Sequence, residues 1–152
     1  MRHIITTILF MGLTVGTTNH QDRGWKGIVP LSSTRAEVEN KLGKAINKSN
    51  NSYETDSENI SIHYTKAPCT SGSGWNVPSD TVIYIFVHPK IKSPVSDLTI
   101  DLGKYRKEDD KLPDVYIFRN DEEGATIEVV QGKVVGYYYG PSSRDQHQRC
   151  KR

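Results

Sequence analysis

Residues 125–139 read ATIEVVQGKVVGYYY, and this stretch decides the fold. Ala125, Ile127 and Val129 recur at every second position, the period of a strand with one buried face. A second apolar run begins after Gln131-Gly132. Two such runs two residues apart make a hairpin, with Gly132 supplying the positive φ that a tight turn demands. Gly136, inside the second run, predicts a bulge. Tyr137 and Tyr139 then share one face of the last strand, with Tyr138 on the other.

Working outward, residues 115–118 precede the turn-rich Asn120-Asp121-Glu122-Glu123-Gly124 and give the preceding strand. Residues 82–87 (VIYIFV) are continuously apolar, which predicts a central strand covered on both faces. Ile60, Ile62 and Tyr64 alternate with Ser61, His63 and Thr65, and Leu98, Ile100 and Leu102 alternate likewise, so both segments read as half-buried strands. Nearer the start the period changes. Thr34 and Glu37 form the pattern of a capping box, Val38 and Leu42 lie one turn apart, Glu37 and Lys41 are spaced as an ion pair, and Gly43 stands at the end. This predicts a helix of about eight residues. Residues 44–59, rich in Asn, Ser and Lys, read as a connection with at most a weak second helical turn. Their three Asn-x-Ser triplets read as chance matches in such a composition. The expected class is α+β: a short N-terminal helix, or two, packed on an antiparallel, largely meandering sheet.

The chain has 152 residues and a formal charge of +2. Arg2 and His3 precede an apolar stretch, residues 4–15, and then the small residues Gly16, Thr17 and Thr18. Residues 1–18 therefore read as a secretory signal peptide, with 19–152 as one domain. The stretch is too short and too often interrupted by threonine and glycine to cross a hydrocarbon core of about 30 Å. No cysteine stands nearby to carry a lipid, so no membrane anchor is expected after cleavage. Loss of Arg2 leaves a charge of about +1, too little to draw the chain to nucleic acid.

In an exported chain the two cysteines, Cys69 and Cys150, have one intramolecular pairing, and the expectation is a disulfide. A catalytic Cys69 thiolate is the competing reading, although no Cys-x-x-Cys motif or Cys–His pairing is visible. The histidines (His3, His20, His63, His88 and His147) have no metal-ligand spacing, so neither metal nor cofactor is expected. Asp97 and Asp101, with the acidic turn Asp121-Glu122-Glu123, are the carboxylates that a small hydrolase would use. Solvated turn chemistry is their plainer role. The glycine-rich residues 70–74 (TSGSG) lack the ending of a phosphate loop and the first glycine of a nucleophile elbow. They belong to a long loop, residues 66–80, in which Trp75 either covers one end of the core or faces a ligand. Trp75, Tyr137 and Tyr139 are the candidate contacts for a ligand or partner.

Residues 25–31 (WKGIVPL), Ser33-Thr34-Arg35, Pro68-Cys69, residues 74–78 (GWNVP) and Tyr139-Gly140-Pro141-Ser142 through to Cys150 together resemble a group of uncharacterised exported bacterial proteins. The resemblance spans nearly the whole mature chain and implies a location and a form rather than a chemistry. More distantly, the helix ending in Leu42-Gly43 and the hairpin at Gly132-Lys133-Val134 are similar to the BamE-like (SmpA/OmlA) outer-membrane assembly proteins, which implies a helix-on-sheet fold. The expected function is that of an exported, secreted or periplasmic, non-catalytic module that binds another envelope or secreted protein. A carboxylate hydrolase and a glycan-binding module are the alternatives.

Overall fold

The computed structural model describes residues 23–69 and 74–151. The expected signal peptide and residues 70–73 of the glycine-rich loop lie outside them.

Helix α1 (Arg35–Leu42) forms where its capping signals stand. The Thr34 hydroxyl accepts from the Glu37 amide at 3.3 Å, and the Glu37 carboxylate accepts from the Thr34 amide at 2.6 Å. Gly43, at φ 81°, ends the helix and donates back to the Glu39 carbonyl. Val38 is fully buried, and Leu42 packs against the same cluster. Lys41 donates to the Lys26 carbonyl at 3.4 Å, and its charge still acts on the Glu37 carboxylate.

Seven antiparallel strands make one sheet: β1 (Ser52–Glu54), β2 (Glu58–Tyr64), β3 (Val82–Pro89), β4 (Arg106–Asp109), β5 (Val115–Asn120), β6 (Ala125–Val130) and β7 (Lys133–Tyr139). Their spatial order is β1-β2-β3-β7-β6-β5-β4. The fold is therefore α+β, built from two meanders that meet where Ile85, Phe86 and Val87 of β3 pair with Tyr139, Tyr138 and Tyr137 of β7. The chain passes from β3 to the far edge through residues 90–105.

That crossover corrects one expectation. Leu98, Ile100 and Leu102 do not form a strand. They lie in an irregular segment with 3-10 turns at Val95–Asp97 and Leu102–Lys104, and they pack on Ile127, Val129 and Val134. Their alternation serves a segment that lies across the sheet instead of joining its ladder. The inner face of the other meander is covered by Trp25, Ile28 and Val38, which meet Ile60, Ile62, Ile85 and Val87. Two edge strands lacked a sequence signal. β1 emerges from the polar connection because Tyr53, 1% exposed, drives into the core and shares a 2.8 Å hydrogen bond with the Tyr64 hydroxyl. β4 reads RKED, charged throughout, as suits an edge that must resist further pairing. Among the described residues α1 is the one α-helix, and residues 44–59 form no second helical turn.

The decisive hairpin forms as read. Gln131 (φ 52°) and Gly132 (φ 71°) are both left-handed, the two-residue turn whose twist matches its strands. The bulge also forms, with Val135 as its extra residue: Glu128 pairs with Gly136, and the next residue, Val129, with Val134. A second irregularity, between His63 and Tyr64, leaves Ile83 unpaired in β3. Ile83 joins Leu31, Trp75 and Val77 in a small separate cluster.

Cys69 and Cys150 form a disulfide, with Cα atoms 5.5 Å apart across a sequence separation of 81. Main-chain bonds reinforce this join: Asn76 N to Gln148 O and Cys150 N to Gly74 O, both 2.8 Å, link the two segments, and Cys69 N bonds Trp75 O at 3.0 Å within the first. Cys150→Ser is expected to lower the unfolding free energy by about 2–4 kcal/mol. Urea midpoints of oxidised wild type and variant check this, and an unchanged midpoint would remove the stapling role.

Candidate functional site

The parity of β7 decides what faces solvent. A strand without a bulge would put Val134, Gly136 and Tyr138 on one side. The extra residue at Val135 flips that alternation, so Val134, Tyr137 and Tyr139 all turn to the core while Gly136 and Tyr138 turn outward. Tyr137 and Tyr139, the expected contacts, are half-buried and packed on the core clusters, and Tyr139 also lines the groove described below. Burial, with the Glu58 carboxylate a lesser cause, pushes both phenols up. Trp75 is 7% exposed and covers an end of the core, with the Arg149 guanidinium 6.0 Å from its ring.

The outward aromatic residues are others. On β3, Tyr84 and Phe86 face away from the core, which corrects the expectation that this strand is covered on both faces; Tyr84 is 39% exposed. Cross-strand pairing sets Ser61, Phe86, Tyr138, Thr126, Arg119 and Arg106 in one row over the outer face. The rings interlock edge to face. Phe86 and Tyr138 stand 5.2 Å apart at 85°, and His63 and His88 flank them at 5.2 Å from Phe86 and 6.1 Å from Tyr138.

Two glycines seat this cluster. A Cβ on Gly136 would meet the Tyr138 ring at 3.3 Å, and a Cβ on Gly140 would meet Tyr84 Cδ1 at 2.9 Å. With no side chain at either position, both rings settle onto the strand. Tyr138 also donates to the Glu128 carboxylate at 2.6 Å. Burial and that anion together push its phenol up to about 12.

Beside the row runs a groove of about 520 Å³, floored by Tyr84, Phe86, Tyr138 and Thr126 and walled by Arg119 to Asp121 and by residues 140–146. The second wall is built by buried polar chemistry. Ser142 and Asp145 form a capping box for the 3-10 helix Ser143–Gln148, and the Ser142 amide and hydroxyl each donate to Asp145 at 2.8 Å. Arg23 donates to Ser142 Oγ at 2.7 Å and pairs with Asp145. Opposite, Arg119 lies 3.4 Å from Glu108, and Asp121 lies 3.5 Å from Arg106. Glu108 also accepts from Arg106 Nε at 2.9 Å, which offsets the like charges that face each other across β4 and β5.

No family model, curated protein or solved structure matches this chain.

The other candidates do not converge on the groove. Asp97 bonds its neighbour Ser96 at 3.0 Å, and Asp101 caps the Gly103 amide at 3.0 Å, both on the crossover. Of the acidic turn, Asp121 alone borders the groove. Among the described residues no three His, Cys, Asp or Glu side chains gather as a metal site. The sequence did hold a signal for the outer cluster: Tyr84 and Phe86 sit two apart, out of phase with Ile85 and Val87.

Burial alone would push the Asp145 carboxyl up, but Ser142 and the Arg23 guanidinium outweigh it and hold it below the usual 3.8. A depressed carboxyl stabilises the fold above its unfolded value, and that contribution is lost as pH falls through the folded value. Asp145→Asn is expected to cost about 1–3 kcal/mol at neutral pH. Its deficit against wild type should shrink once the pH drops below 3.8, as thermal unfolding across pH would show.

Proposed function

We propose that this chain is an exported, non-catalytic binding module that receives its partner on the open face of the sheet. One observation carries the reading: an interlocked aromatic row, held out on a rigid sheet by two glycine seats, borders a groove whose walls are fixed by buried polar contacts. A row with no task beyond cross-strand packing would not need a concave wall raised beside it. The disulfide suits an oxidising compartment, and no helix among the described residues is long and apolar enough to cross a membrane. Export through residues 1–18, into the periplasm or the medium, is the proposed route, with an envelope or secreted molecule as partner. The resemblance to exported bacterial proteins and to the BamE-like helix-on-sheet design supports that setting.

The hydrolase alternative has less support. Glycoside hydrolysis needs two opposed carboxyl groups. The groove is bordered by one acid on its rim, Asp121, and Asp145, which lies behind Ser142, is engaged by Arg23.

Site-specific photocrosslinking in the producing cell tests the module. A benzophenone side chain in place of Tyr84 should give a discrete adduct, while one in place of Leu112, 64% exposed on a distant turn, should give none. Equal labelling at both positions, or none at either, would sink the proposal.

A further inference from the structure

Resting on that reading, we infer that the groove binds a neutral oligosaccharide, with sugar rings laid on Tyr84, Phe86 and Tyr138. Three observations select this occupant. The first is the floor. Aromatic faces carry partial negative charge and take the polarised C–H face of a pyranose, whereas hydroxyls around the sugar rim need groups that both donate and accept. Thr126 and Gln146 border the floor with such groups, and neither has a side-chain partner among the described residues. A groove of about 520 Å³ lies within the usual range for ligand sites.

The second is charge. The two ionised groups that border the groove, Arg119 and Asp121, are of opposite sign, and each already lies beside an opposite charge on β4. With Glu128 taken up by the Tyr138 hydroxyl, an anionic or cationic ligand would find no unpaired opposite charge lining the groove, whereas an uncharged one needs none.

The third is position in the sheet. The floor lies on β3, β7 and β6, whose backbones are paired to neighbours on both sides. An extended peptide binds a sheet by adding to a free edge. Laid across this floor it would bury its own amides against rings with no ladder to join, at a cost of about 1–3 kcal/mol per unpaired group. A saccharide has no backbone ladder to satisfy.

The test is an NMR titration of the mature chain with cellohexaose, maltohexaose, xylohexaose and chitohexaose. At least one should shift the resonances of Tyr84, Phe86, Tyr138 and Thr126 saturably, with Kd of about 1 mM or tighter. Tyr84→Ala should weaken that binding at least about fivefold. Gly140→Ala, which displaces the Tyr84 ring without removing it, should weaken it as well. Thermal unfolding of both variants reports that the fold is kept. No shift at these residues with any of the four sugars, or shifts confined elsewhere, overturns the inference. If the sugars fail while the crosslinker at position 84 captures a protein, the module stands and the saccharide falls; if both fail, both are wrong.

Discussion

The structure depends on one short seam, the pairing of Ile85–Val87 with Tyr137–Tyr139. Each meander on either side is made of strands that follow one another in sequence, through short turns except for the long loop between β2 and β3. An isolated hairpin is marginal alone, and a sheet gains stability as further strands extend its apolar face. Joined through β3 and β7, the two apolar faces become one, and the row Ile60, Val87, Tyr137 and Ile127 runs unbroken across the junction. The seam couples residues some fifty positions apart, so its closure entropy is large and slowly growing with length. The disulfide and the strap of main-chain bonds around Trp75 act on the same problem from the chain end.

The seam also determines what the protein presents. On its inner side Tyr137 and Tyr139 complete the core, and on its outer side Phe86 and Tyr138 meet edge to face. The proposed binding face is the reverse of the one that builds the core. A change at Gly136 or Val135 would thus be felt twice, in the packing under the crossover and in the tilt of Tyr138 above it.

What the sequence made legible was local. The capping box at Thr34 and Glu37, the Gln131-Gly132 turn and the bulge beside Gly136 are each set by a few adjacent residues, and each formed as read. Residues whose role is fixed by distant partners were not legible. Tyr53 lies in a polar tract and becomes a core residue only because β2 supplies the Tyr64 hydroxyl. β4 has no apolar residue at all, and its pairing with β5 rests on the ladder and on Glu108 between two arginines. Alternation in Leu98, Ile100 and Leu102 marks burial on one side, which a segment lying over a sheet satisfies as well as a strand within it. The candidate site suffered from the same limit. The count of tyrosines in residues 137–139 was plain, but the direction of each depends on a bulge whose extra residue had to be known.

The contacts that hold the groove favour the proposed recognition role over turnover. The wall of residues 140–146 is tied at one end to Arg23 through Ser142 and Asp145, and beyond its other end to Trp75 and Cys69. The Gly140 amide donates to the Gly124 carbonyl and the Ser143 amide to the Asp121 main-chain carbonyl, both at 2.8 Å, so the wall is also bonded to the turn opposite. A groove held by this many independent contacts loses little conformational freedom when filled, and that saving goes directly into affinity. The rings on its floor are restrained likewise, Tyr84 and Tyr138 by the glycines against them, Tyr138 also by Glu128, and Phe86 by the Tyr138 ring. Catalysis by contrast needs groups poised to change protonation, and the buried carboxylate nearest the groove, Asp145, is committed to holding the wall in place.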